Sequence, residues 1–308
     1  MGKLENLQTY YIIYNQIRDM PRYNLKAIAR ALGLSGRGHS YTTASNYVRN
    51  LYHRGISLHP NLILKNFENC YTRAYFLKVD DPKNLTTLFL TLKTLIEGHV
   101  LSYMLLLSGR YDFFVTSKSD LTFQPGLTIK KKSILYNPFY THPSGWNLEM
   151  KESFRRLADS GLSEGNLPRE MEEFLFWGDA EFRIFETMKN NIQKPFSQVA
   201  RACHLSPNTV RKYFNEEILP CCDIAHYFFP KGYNQYQQSL IVLKTKYEKD
   251  FVRILGKLPC TTYVFPLQEE IVLNVFHEGV VDVMFAIKKL EEKGYIDYHF
   301  LLIPLYWD

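Results

Sequence analysis

The chain has 308 residues, 46% apolar and 15% aromatic, with 37 Lys and Arg against 31 Asp and Glu. That length suits two or more domains, and the apolar fraction excludes a disordered chain. No apolar run approaches the roughly 18 residues that span a bilayer, and five cysteines without C-x-x-C spacing exclude a disulfide framework and a structural zinc site.

The first 70 residues carry nine basic and three acidic side chains, a net +6 that equals the surplus of the whole chain. The start of the chain reads as neither a signal peptide nor a myristoylation site, so a cytoplasmic protein with reduced thiols is expected. Tyr10, Ile13, Tyr14 and Ile17 recur at helical spacing, and Pro21 ends that helix. Leu25, Ile28, Ala29 and Leu32 form a second apolar stripe, stopped at Gly33. Thr42 or Thr43 is positioned to cap a third helix bearing Tyr47, Val48, Leu51 and Tyr52, which Gly55 ends. Ser57 to Asn66 then reads as a small hairpin, completing a winged helix-turn-helix over residues 1–70.

Strand patterns follow at Ala74–Val79, Val100–Leu107, Asp112–Ser117 and Lys130–Tyr136, with one helix at Leu85–Ile96. This order over 71–144 is a ferredoxin-like plan lacking its second long helix. Residues 145–178 read as a linker with helical stretches at Glu149–Ala158 and Arg169–Phe176. Its Phe174, Phe176 and Trp177 are expected to pack against a neighbour.

The pattern then repeats. Phe196-Ser-Gln-Val-Ala-Arg-Ala-Cys-His-Leu-Ser206 aligns with Leu25-Lys-Ala-Ile-Ala-Arg-Ala-Leu-Gly-Leu-Ser35, and Pro207–Phe214 with Ser45–Tyr52. Helices are expected at Phe182–Met188, Phe196–Leu205 and Val210–Phe214, the last capped by Ser206, giving a second winged module over 179–236. Residues 237–308 read as strand Ser239–Lys244, helix Glu248–Leu258, strands Thr262–Pro266 and Ile271–Phe276, helix Val280–Lys293 and strand Tyr298–Leu305. That is the complete β-α-β-β-α-β order. The fold class expected is therefore α+β, with two winged helix-turn-helix domains alternating with two ferredoxin-like domains.

Gly109-Arg-Tyr-Asp112 before Phe113-Phe-Val115, with Leu205-Ser-Pro-Asn-Thr-Val-Arg211, resembles the Lrp/AsnC (feast/famine) transcription regulators, here as a tandem duplication. The resemblance implies double-stranded DNA as partner, a small-molecule effector, and sheets that pair within the chain or in a homodimer. Gly109 and Asp112 would mark the effector and assembly turn. At the equivalent place the second copy carries Gln268-Glu269-Glu270.

Helical spacing puts Asn46, Arg49, Asn50 and His53 on one face of the third helix, with Ser45, Tyr47 and Arg54 beside them. Asn and Arg can read base edges in the major groove, and Arg37 in the enlarged turn could reach a phosphate. The second copy offers Asn208, Thr209, Arg211 and Lys212. Lys130-Lys131-Lys132 is a further candidate for phosphates, or simply a solvated edge. No catalytic, cofactor or metal motif stands out among nine scattered histidines. The leading expectation is a sequence-specific DNA-binding regulator that is not an enzyme. Two alternatives are a protein-interaction or ligand-sensing scaffold and, ranked last, a tetrapyrrole-acting enzyme. Some proteins resembling the family are such enzymes, using His and Arg from a cleft between the two domain types, and His226 would be the first suspect.

Overall fold

The computed structural model describes residues 2–20, 22–34 and 39–307. Its elements are mixed α and β, and every strand pairing is antiparallel. Helices α1 (Gly2–Asp19), α2 (Leu25–Ala31) and α3 (His39–His53) come first. Their stripes, including Tyr10, Ile13, Ile17, Ile28, Val48 and Leu51, close on a core of their own. Asn24 caps α2 by accepting from Lys26 N at 2.8 Å. Helix α3 begins before Thr42 and Thr43, so neither is its cap.

The expected hairpin after α3 does not form on its own. Strand β1 (Asn61–Leu64) pairs instead with β7 (Cys222–Ala225), from Asn61 opposite Ala225 to Leu64 opposite Cys222. A four-residue strand has too few partners to stand alone, and the second copy of the repeat supplies them.

Next come β2 (Thr72–Val79), α4 (Leu85–Glu97), β3 (Tyr103–Ser108), β4 (Phe113–Ser117), β5 (Leu127–Leu135), β6 (Phe139–Tyr140) and α5 (Met150–Ala158). The second helical group is α6 (Asp179–Met188), α7 (Phe196–Cys203) and α8 (Pro207–Tyr213). Ser206 caps α8 as expected, accepting from Thr209 N at 3.0 Å. Last come β8 (Gln237–Lys244), α9 (Glu248–Leu255), β9 (Tyr263–Pro266), β10 (Ile271–His277), α10 (Val280–Glu292) and β11 (Tyr298–Trp307).

Nine strands form one sheet in the order β5-β2-β4-β3-β11-β8-β10-β9-β6. The halves join at β3 and β11, where Ile303 lies opposite Ser108. At the other end the chain leaving β5 crosses to β9: Tyr136 N donates to Pro266 O at 2.9 Å, and Leu135 bridges Leu267. The two ends of the sheet therefore meet, leaving fewer open edges.

Alternation along the strands sorts side chains into layers. Ala74 and Phe76 of β2 face a central core shared with Leu240 and Val242 of β8. Tyr75, Leu77 and Val79 face Leu88 and Leu92 of α4. Ile241 and Leu243 face α9 and α10, over which α5 lays Met150, Phe154 and Leu157. Burying a side chain such as Phe76 or Phe114 contributes about 2–3 kcal/mol. Where the first half lacks a second helix, Leu121 and Phe123 of the loop cover the sheet, Phe123 edge-on to Tyr75 at 5.4 Å.

Residues 169–176 are extended rather than helical. Glu172 N donates to Asn66 O at 2.8 Å and Glu68 N to Glu172 O at 3.1 Å, so this segment spends its backbone groups on the residues after β1. Leu175 is buried, but Phe174 is 53% and Phe176 90% exposed, against the expectation that both pack. No helix among the described residues is long and apolar enough to cross a membrane.

Candidate functional site

The turn between β3 and β4 is locked from behind. Gly109 sits at φ +129°, and a Cβ there would come within 3.0 Å of Leu302 Cδ2, so glycine is required. The Asp112 carboxylate accepts from Val79 N at 2.7 Å and from Lys78 Nζ at 2.8 Å. Asp112 thus pins the turn to β2. Tyr111 is buried against Phe76, ring centroids 4.9 Å apart, and edge-on to Phe300 at 5.6 Å. Arg110 projects with its guanidinium carbon 5.1 Å from the centre of the Phe300 ring.

Strand β5 approaches the same place through a bulge. Phe76 pairs with Lys131 and Leu77 with Ile129, so Lys130 is the additional residue. The bulge brings Lys130 and Lys131 to one opening. From the other half, the turn before β10 delivers Glu270, only 4% exposed, whose carboxylate accepts from Lys131 Nζ and from the Tyr298 hydroxyl. Arg110, Tyr111, Lys130, Lys131, Glu270, Tyr298 and Phe300 line a cleft of about 390 Å³.

Three cations against one carboxylate leave this cleft at +2. Lys131 is committed to Glu270, whereas Arg110 and Lys130 make no ion pair among the described residues. Guanidinium and ammonium groups beside aromatic walls suit a planar ligand bearing carboxylates. Sequence reasoning found Gly109 and Asp112, but the residues that face a ligand are their neighbours. The run Gln268–Glu270, read as a departure from the turn motif, supplies the opposing wall. The cross-strand placement of Lys130 and Lys131 was the missing signal.

His226 lies elsewhere, where the first helical module meets the second half. It is 4% exposed, stacked on Tyr14 with centroids 4.7 Å apart, and its Nε2 lies 2.9 Å from Ser57 Oγ. Tyr14 also stacks on His142, whose Nε2 is 2.8 Å from the Tyr11 hydroxyl. Burial first, then the charges of Arg18 and His59, lowers the His226 pKa to about 3, so its imidazole is neutral. Its Nδ1 and that of His142 are buried without a hydrogen-bond partner among the described residues. The rings are packed face to face, a joint between modules rather than an open cleft.

On α3, Asn46, Arg49, Asn50, His53 and Arg54 are exposed, Ser45 is half-buried, and Tyr47 packs edge-on to Tyr10 at 6.2 Å. Arg37 lies outside the described residues. On α8, Asn208, Arg211 and Lys212 are exposed, while the Thr209 hydroxyl is engaged with Ser206 Oγ at 2.7 Å. Among the described residues no group of three His, Cys, Asp or Glu side chains is placed to hold a metal ion.

No family model and no curated protein matches the chain. Among solved structures, the siroheme decarboxylase NirDL matches with a TM-score of 0.51 and 9% identity, over 96% of this chain and 91% of that one. The same enzyme in complex with an iron-uroporphyrin III analogue matches with a TM-score of 0.50 and 10% identity, over 96% and 90%. At that identity the likeness establishes the fold, consistent with the Lrp/AsnC-like plan. It overturns the leading expectation of a DNA-binding regulator without enzymatic activity, because the structures sharing this fold along nearly the whole chain are those of an enzyme. The basic exposed face of α3 was the source of the error: net charge gives the sign of a partner, not its identity.

Proposed function

We propose that the chain is an enzyme acting on a carboxylate-bearing tetrapyrrole, of the kind decarboxylated by the proteins that share its fold. The observation that carries this reading is the fold correspondence over 96% of the chain with siroheme decarboxylase, one structure of which holds an iron-uroporphyrin III analogue. The cleft supports it chemically. Arg110 and Lys130 offer unspent cations for substrate carboxylates, and Tyr111 and Phe300 offer ring faces and edges for a macrocycle.

The finer architecture belongs to the same proposal. Strand orders β5-β2-β4-β3 and β11-β8-β10-β9 are the same permutation, each strand group being read by chain order as fourth, first, third, second. This supports two ferredoxin-like units, residues 71–144 and 237–308, forming a pair within one chain. The helical groups at 1–70 and 179–236 read as winged helix-turn-helix modules that share one wing sheet, with 145–178 as linker.

The test is an absorbance titration of the purified protein with siroheme, read at the intense near-ultraviolet band, followed by assay of carbon dioxide release. Binding is expected, and Arg110→Ala with Lys130→Ala should weaken it by roughly 10- to 100-fold at unchanged melting temperature, the loss of one or two charge-assisted contacts. No spectral change at saturating siroheme would remove the reading.

A further inference from the structure

Two surfaces of this molecule carry unspent charge of opposite sign. Between Met20 and Phe67 there are seven Lys and Arg and no Asp or Glu. Lys26, Arg30, Arg49 and Arg54 of that stretch make no ion pair among the described residues, and Arg30, Arg49 and Arg54 are exposed. Lys26 and Arg30, with Ala29, Leu34, Ser40 and Tyr41, line a depression of about 240 Å³ beside α2. Between Glu170 and Phe182 there are five Asp and Glu and no Lys or Arg. Of these, Glu170, Glu173 and Asp179 are exposed and make no ion pair among the described residues.

The acidic stretch surrounds an aromatic ledge. Phe176 is 90% exposed, Phe174 53% and Phe182 38%, with Phe174 and Phe176 centroids 6.4 Å apart. The ledge is anchored: Leu175 is buried beneath it, Leu175 N donates to Asn69 Oδ1 at 2.9 Å, and Asn69 Nδ2 donates to Leu175 O at 3.0 Å. A fixed backbone that presents large apolar rings to water is a contact surface rather than a failed core. An aromatic knob inside a charged rim is also how interface anchors are built.

We propose that this ledge docks a second copy of the chain, seating on the basic face of that copy's first helical module. Phe176 of one copy enters the depression beside Lys26 and Arg30 of the other, while Glu170, Glu173 and Asp179 meet Arg30, Arg49 and Arg54. The same chain cannot satisfy its own ledge, because Phe176 stands free in the folded molecule. Repeated about a twofold axis, two such contacts close a dimer. The same contact assigns a role to the basic surplus of the first 70 residues.

The test is sedimentation of the full chain at about 50 mM and about 500 mM salt, a span over which screening becomes severe. A dimer is expected at low salt, its association weakened about tenfold or more at high salt. Phe176→Ser should give a monomer with an unchanged circular dichroism spectrum. Arg30→Glu/Arg49→Glu and Glu173→Lys/Asp179→Lys should each be monomeric alone and associate when mixed, since one of the two contacts is then wild type and the other has both signs exchanged. A monomer at all concentrations, a dimer indifferent to these substitutions, or a mixture that fails to associate would each overturn the proposal.

Discussion

Acid sensitivity of folding tests the packed histidine joint most directly. An unfolded histidine titrates near 6.5, whereas burial lowers folded His226 to about 3. The unfolded state therefore takes up a proton first as pH falls. Stability is fully present above about pH 6.5 and declines steadily below it, down to about pH 3. At pH 5 the unfolded state has gained about 2 kcal/mol from this one group, a figure that holds if the folded pKa is anywhere below about 4. His277, buried with Nε2 2.8 Å from Ser239 Oγ and lowered to about 4, adds a similar amount. Urea unfolding at pH 8 and pH 5 should thus show a loss of about 4 kcal/mol from the pair. His226→Phe keeps a ring against Tyr14 and leaves Ser57 its bond to Tyr227 O at 2.6 Å. The variant is less stable throughout, but its pH 8 to pH 5 difference should shrink by about 2 kcal/mol. Identical differences in wild type and variant would refute a neutral, buried His226.

Two other substitutions probe what holds the linker and the modules in place. Glu248 is 2% exposed and accepts from Arg169 Nη1 at 2.8 Å, Arg169 Nη2 at 2.6 Å and Leu167 N at 2.8 Å. Glu248→Gln leaves Arg169 without its counter-charge and should cost about 3–5 kcal/mol in urea unfolding; a loss under about 1 kcal/mol would mean that the pair contributes no more than a surface bridge. Gly232 sits at φ +95° with a Cβ position only 2.5 Å from Arg54 O, so Gly232→Ala should cost about 1–3 kcal/mol and lower the melting temperature. An unchanged melting temperature would show that the loop after β7 shifts without penalty.

Periodicity located most elements because each one carries its own core face. The stripe Ile184, Phe185, Met188 and the alternation Leu240 to Leu243 are local facts, and α6 and β8 follow from them. What was not legible depended on distant partners. Asn61–Leu64 looks like half of a hairpin, and nothing local says that its partner lies 160 residues away at Cys222–Ala225. Residues 169–176 have helix-forming composition, yet backbone bonds to Asn66 and Glu68 decide their conformation. The cleft follows the same rule. Gly109 and Asp112 stand out in sequence because a turn demands them, whereas Arg110, Lys130 and Tyr298 look like ordinary surface residues until three strands bring them together.

That cleft also gives a physical reason for keeping both halves in one chain. Each four-stranded unit alone would expose the open edges of β3 or β11 and an apolar face including Phe76 and Phe114 or Val242 and Val272. Two identical chains could cover those surfaces equally well, so burial alone does not require fusion. Identical chains would, however, place the same turn on both sides of every cleft between them. Here one turn supplies Arg110 from Gly109-Arg-Tyr-Asp112, and the corresponding turn supplies Glu270 from Gln268-Glu-Glu270. A cation and a carboxylate face each other only because the two copies were free to diverge. Glu270 holds Lys131 and Tyr298 in place, and Arg110 and Lys130 stay uncommitted. Fusion fixes that unlike pair at one-to-one stoichiometry, which an asymmetric site for a carboxylate ligand requires.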